Sequence, residues 1–137
     1  MIFFSPGKEP DIVYLHTDSY NLIWKDSGSE AYLDGSIWAV ENYLPEYCSM
    51  GDVIGDGHGK PTTKALLIKA NKESALRSPT GFSLVWKNEG FSSHWEFGFW
   101  NVRIYNMNCP LGYSSLGHIA VRSNSYPSKR PSPHRFR

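Results

Sequence analysis

The residues of this chain best suited to chemistry crowd into one short stretch, Asp52-x-x-x-Asp56-Gly57-His58. Two carboxylates and an imidazole at that spacing carry the donors that a divalent cation takes. The stretch lacks the further acidic ligands and the terminal glutamate that complete a calcium loop, and no H-E-x-x-H helix accompanies it. Polar residues flanked by glycine are ordinary turn chemistry, so neither a metal nor a cofactor is expected. Among nucleophiles, Cys48 follows Tyr47 in a strand-like block and reads as a small buried hydrophobe rather than an activated thiol. Ser49 and Ser115 sit in matching contexts, but no G-x-S-x-G elbow surrounds them. No phosphate-binding glycine loop is present. With no convergent catalytic set, the sequence points away from an enzyme and toward a binding protein.

What positions these residues is an internal duplication. Tyr20-Asn21-Leu22-Ile23-Trp24-Lys25-Asp26-Ser27-Gly28 returns 62 residues later as Phe82-Ser83-Leu84-Val85-Trp86-Lys87-Asn88-Glu89-Gly90. At the same offset, Ser36–Val40 aligns with Gly98–Val102, pairing Trp38 with Trp100. Tyr47–Val53 then matches Tyr113–Ile119 at an offset of 66, which Pro61 and Pro127 keep. This reading puts a four-residue insertion between Trp100 and Tyr113. The two copies span 18–61 and 80–127 within a single all-β domain, 10–127.

Each copy reads as short strands joined by turns. Tyr20, Leu22 and Trp24 alternate with their neighbours before a Lys-Asp-Ser-Gly turn, and Asp34-Gly35 is a tight-turn signal. The glycine in Tyr-x-Ser-(Met/Leu)-Gly, at Gly51 and Gly117, marks a bulge or a close backbone approach. Lys64–Ala70, between the copies, is read as a further strand. The tryptophan pairs Trp24/Trp86 and Trp38/Trp100 are expected in the core, because a repeated packing scheme requires them and each buries a large apolar area. Stacking platforms for sugars or bases are the other reading of these rings. Trp95 has no counterpart, and beside His94 it is a candidate exposed contact.

Aromatic residues reach 15% of the chain, with twelve Gly and nine Pro. That balance excludes intrinsic disorder and favours short strands over long helices. No apolar run has the roughly 20 residues of a membrane-spanning helix. The Met1–Phe4 run breaks at Ser5-Pro6-Gly7, too early for the apolar segment of a secretory leader. A cytoplasmic or peripheral-membrane location is expected, and a secreted chain is compatible. Cys48 and Cys109 allow one disulfide or two free thiols. The net charge of +1 conceals a segregation: Arg122, Lys129, Arg130, Arg135 and Arg137 close the chain with no acid among them, whereas the first 121 residues are acidic overall. An acidic body argues against nucleic acid as a partner. The basic segment 128–137 is expected to be a solvated, disordered tail.

The doubled motifs resemble the vacuolar protein sorting-associated protein 62 family. The resemblance is carried by Leu22–Gly28, Asp34–Trp38, Pro45–Val53 and Pro61, and again by Leu84–Gly90, Phe99–Trp100, Gly112–Ile119 and Pro127. It implies an all-β protein of pseudo-symmetric, duplicated antiparallel sheets, β-prism-like, with a β-sandwich as the alternative architecture. It also implies kinship with domains that dock on membranes. A third prism face would have to come from the N-terminal 17 residues, the Lys64–Ala70 segment, the tail or a partner subunit. His118 replaces the acid at the position of Asp52, so a role resting on that acid need not hold in both copies.

The expected activity is recognition without chemistry. One ligand is an anionic membrane surface, met by Lys129, Arg130, Arg135 and Arg137. The alternative is a glycan, held at the equivalent hairpin tips by Asp26 and Asn88 with His94 and Trp95 as further contacts. A third reading is an oligomeric subunit, or the targeting domain of a pore-forming toxin assembly, which would make a homo-oligomer.

Overall fold

The computed structural model describes residues 10–26, 35–87, 94–95, 98–99, 102–122 and 135–136. β-branched and aromatic residues in short alternating runs form the strands here, and turn residues end each run. In chain order the strands are β1 (Ile12–Thr17), β2 (Tyr20–Lys25), β3 (Gly35–Val40), β4 (Cys48–Ser49), β5 (Val53–Asp56) and β6 (Ala65–Ala70). They continue as β7 (Gly81–Lys87), β8 (His94–Trp95), β9 (Gly98–Phe99), β10 (Val102–Asn108), β11 (Ser114–Ser115), β12 (His118–Arg122) and β13 (Arg135–Phe136). A single 3-10 turn, Glu73–Ala75, is the one helical element among the described residues. The protein is all-β, and all pairings among the described residues are antiparallel.

Three three-stranded sheets result, ordered β1-β6-β4, β2-β3-β5 and β12-β10-β7. Two-stranded pairs β11-β13 and β8-β9 complete the described set. The third face needed by a prism-like arrangement is supplied by the N-terminal strand β1 and by β6, from the Lys64–Ala70 segment, with β4 at its edge. The duplication is visible in the topology. In the first copy β4 leaves the sheet of β3 and β5 to pair with β6. In the second, β11 leaves the sheet of β10 and β12 to pair with β13.

Strand register defines which residues are equivalent. Leu22 faces Trp38 and Trp24 faces Ile37, with Ile23 bulged between them. Leu84 faces Tyr105 and Trp86 faces Ile104, so Val85 occupies the same bulge in the second copy. A bulge kept at one position in both halves is a designed feature of a duplicated unit. The register corrects one expectation from sequence. Trp38 corresponds to Tyr105, not Trp100, and Ile37 corresponds to Ile104. The extra residues of the second copy therefore lie between β7 and β10 rather than between Trp100 and Tyr113. Trp38 and Tyr105 are both buried, one aromatic ring standing in for the other.

The two halves meet at their repeated glycines. A Cβ on Gly117 would overlap the carbonyl oxygen of Met50, and one on Gly51 would lie 2.9 Å from that of His118. Gly51 also has φ +116°, a conformation that disfavours any side chain. The contact is fixed by the Asp52 N–H donating to the His118 carbonyl at 2.9 Å and the Ala120 N–H donating to Asp52 Oδ2 at 2.7 Å. The close backbone approach expected at these glycines is thus between the copies.

Two apolar clusters flank this junction. Ile23 and Ile37 of the first copy pack with Val102 and Ala120 of the second, with Trp24, Ala39 and Ile104 against them. Cys48, Ile68 and Leu76 form the other cluster, under Ile12, Met50, Ala70 and Leu116. Cys48 and Cys109 are free thiols. Burial pushes the Cys48 thiol pKa up, which suits a packing role.

The basic C-terminal segment departs from its expected disorder at one point. Arg135–Phe136 form β13 and pair with Ser114–Ser115, so the fold continues beyond residue 127. Lys129, Arg130 and Arg137 lie outside the described residues.

Candidate functional site

Asp26, a nominated ligand contact, ends β2 and closes the base of the β2–β3 hairpin. Its Oδ1 accepts the Gly35 N–H at 2.9 Å, and its own N–H donates to the Gly35 carbonyl at 3.1 Å. The ring of His58 approaches the same oxygen, with Nε2 at 2.6 Å. Beside this pair, Trp38 Nε1 donates to Ser36 Oγ at 2.8 Å, and that hydroxyl donates to the Gly57 carbonyl at 2.8 Å. Gly55 is needed next to it, since a Cβ there would lie 2.7 Å from Ser36 Oγ. The Asp-x-x-x-Asp-Gly-His stretch thus delivers His58 and the Gly57 carbonyl to the hairpin base, as turn chemistry. Asp26 is hydrogen-bonded within the hairpin base, with a side chain only 10% exposed.

Of the remaining nominated residues, His94, Trp95 and Arg135 are described. Asn88, the counterpart of Asp26, lies outside the described residues. His94 and Trp95 form β8 and pair with Phe99 and Gly98. Arg135 pairs with Ser115. Among the described residues, no group of three His, Cys, Asp or Glu side chains could hold a metal ion.

Two turns that the sequence reading passed over carry exposed apolar side chains. The β3–β4 connection turns at Leu44–Tyr47, where the Tyr47 N–H donates to the Leu44 carbonyl at 3.0 Å. The β10–β11 connection turns in the same way, with Tyr113 N–H donating to the Pro110 carbonyl at 3.1 Å. These are equivalent positions at the offset of 66. Both present apolar groups to solvent: Tyr43 is 81% exposed, Leu44 is exposed, and Leu111 is fully exposed. The Tyr43 hydroxyl donates to Glu41 Oε2 at 2.9 Å, and that carboxylate raises its pKa. Positive charge borders the second turn. The Arg77 guanidinium lies 6.0 Å from the Tyr113 ring centroid, the Tyr113 hydroxyl donates to the Ser74 carbonyl, and β13 pairs Arg135 with Ser115. The sequence signal was available: Tyr43-Leu44-Pro45 and Pro110-Leu111-Gly112 put large apolar residues in turns, where polar ones are usual.

A second feature is an open apolar cleft of about 330 Å³ between the sheets of the two copies. Ile37, Ile54, Val85, Trp86 and Ile104 line it, with Asp52 and His118 as its polar groups. Trp86 was expected in the core and is instead 44% exposed on this cleft. Its counterpart Trp24 is half-buried against the first core cluster.

No family model and no curated protein matches the chain. Among solved structures, GNIP1Aa from Chromobacterium piscinae is similar in fold, with a TM-score of 0.71 at 18% sequence identity. The similarity covers 90% of this chain and 23% of that one, so this fold accounts for about a quarter of the longer protein. At that identity the likeness concerns the fold alone.

Proposed function

We propose that this protein is a non-enzymatic recognition module that docks on a lipid surface through its two matched turns. The observation that carries this reading is the exposure of Tyr43 and Leu44 at one turn and of Leu111 at the equivalent turn of a duplicated scaffold. Large apolar side chains held in water by rigid turns lose little by entering an acyl–headgroup boundary and gain the burial they lack in solution. Electrostatics adds to this at the second turn. Each cation near an anionic leaflet contributes about 1 kcal/mol; Arg135 pairs with Ser115, just after the second turn, and Lys129, Arg130 and Arg137 are its neighbours in sequence. The resemblance of the doubled motifs to the vacuolar protein sorting-associated protein 62 family supports the same reading.

Co-sedimentation tests the proposal. The full chain is expected to pellet with vesicles containing phosphatidylserine, to bind pure phosphatidylcholine more weakly, and to lose most of the difference when residues 128–137 are deleted. Equal binding to both vesicle types by both chains would remove the electrostatic part, and absence of pelleting would sink the proposal.

A second reading, a targeting domain or oligomeric subunit of a pore-forming toxin assembly, is favoured by one observation. The fold recurs as 23% of a longer chain, as a module would. A strict monomer by mass measurement, in solution and on vesicles, would leave the assembly form of this reading without support.

A further inference from the structure

The two copies differ most at one packing site. On one flank of Ile37 and Ile104, Ile23 packs with Val102 and Ala120 in a closed cluster, with Trp24 against it. Val102 is wholly buried there. Register identifies the counterparts: Val85 for Ile23, Trp86 for Trp24, Gly35 for Val102 and Ile54 for Ala120. On the other flank of the same isoleucines these counterparts are open. Ile54 is 75% exposed, Val85 and Trp86 are exposed, and all three line the cleft. The chain therefore carries one packing site twice, closed in one case and open in the other.

The two sites differ in their residues: the valine of the closed site corresponds to Gly35, the isoleucine in the bulge to the shorter Val85, and Ala120 to the larger Ile54. The closed site also demonstrates what completes such a surface, because aliphatic side chains from Val102 and Ala120 fill it. An occupant of the open site must present the same aliphatic chemistry. The size of the cleft is at the lower end of small-molecule sites, which are mostly apolar with a few polar groups fixing orientation. Here the polar groups are Asp52, whose Oδ2 accepts the Ala120 N–H, and the exposed His118.

We propose that the cleft takes one aliphatic chain of a membrane lipid, lying where the Val102 side chain seals the equivalent site, with its polar end at Asp52 and His118. The assignment deepens the lipid-surface reading and rests on it for the source of the chain. It makes the open copy a lipid clasp and leaves the closed copy as the scaffold.

The test uses dodecylphosphocholine below its critical micelle concentration, titrated into the full chain by calorimetry. Saturable binding with one site is expected. Gly35→Val places a valine at the position that corresponds to Val102 and is expected to weaken binding at least tenfold. A Cβ at Gly35 meets only Asp26 Oδ2, at an ordinary 3.7 Å, so the fold accommodates it. The double variant Ile54→Ser/Val85→Ser changes only exposed positions and is expected to weaken binding to a similar degree. Non-saturable uptake, or binding unchanged in both variants, would overturn the assignment. So would saturation by a soluble aliphatic peptide with none by the detergent. Vesicle co-sedimentation separates the two proposals: saturable detergent binding without vesicle binding refutes surface docking and supports the clasp, and the reverse result refutes the clasp alone.

Discussion

Substituting Gly117 with alanine perturbs the junction between the copies, and the structure allows its cost to be worked out. The new Cβ would overlap the Met50 carbonyl oxygen, which is backbone and cannot swing away. Relief requires the two strand ends to separate. Two hydrogen bonds depend on their present spacing: Asp52 N–H to the His118 carbonyl at 2.9 Å, and Ala120 N–H to the Asp52 carboxylate at 2.7 Å. A neutral bond of this kind contributes about 1 kcal/mol and one to a charged group about 1.5–3. Losing both costs about 2.5–4 kcal/mol, a large fraction of the roughly 5–15 kcal/mol that stabilises a domain. Two controls isolate the effect. Gly112 has φ +85° with nothing within 4 Å, so alanine there meets backbone strain alone, about 1–2 kcal/mol. Gly59 has neither constraint, and alanine there is expected to be neutral or slightly stabilising. Urea denaturation of the three variants, at constant m, gives the order Gly117 worst, Gly112 intermediate, Gly59 near wild type. A Gly117→Ala protein within about 0.5 kcal/mol of wild type would refute the junction as described.

Other consequences follow from the hairpin base and the core. Asp26→Ala strands the Gly35 N–H and removes the partner of His58, so denaturation is expected to register a loss of about 1–3 kcal/mol. A glycan-binding defect in that variant counts as recognition only if its stability is unchanged. Ser36→Ala leaves the Trp38 indole N–H without its present acceptor in a buried site, and about 2 kcal/mol should be lost by the same measurement. Burial raises the Cys48 pKa above its unfolded value, so the unfolded chain loses the thiol proton first as pH rises. The native chain then binds more protons, and stability falls with pH above about 8.5. Chemical denaturation between pH 7 and pH 10 should show this slope, reduced in Cys48→Ala.

Much of the scaffold was legible because duplication converts weak motifs into ordered pairs. The recurrence of Leu-Ile-Trp-Lys as Leu-Val-Trp-Lys located β2 and β7, and the paired glycines marked the close approach between copies. The misassignment of Trp100 has a physical origin. Tyr105 fills the buried aromatic position of Trp38, and a tryptophan inside the inserted stretch offers a better match in letters than in packing. The bonds of Asp26 to Gly35 and His58 cross 9 and 32 residues of sequence, beyond any local pattern. Likewise, the consequence of Gly35 standing in the place of Val102 appears only once strand register has aligned them. Trp24 and Trp86, alike in sequence, therefore part company in the fold: one lies against the core and the other on an open cleft.

The central claim, docking through the matched turns, is tested most directly by the double variant Tyr43→Ser/Leu111→Ser. Both residues are highly exposed, so the fold should be unaffected. Burial of the two side chains in a bilayer boundary contributes about 3 kcal/mol, which corresponds to roughly a hundredfold in affinity. Titration with phosphatidylserine-containing vesicles should therefore find the variant bound about a hundredfold more weakly than wild type, with unchanged urea stability. Equal vesicle affinity for the two proteins would contradict the account.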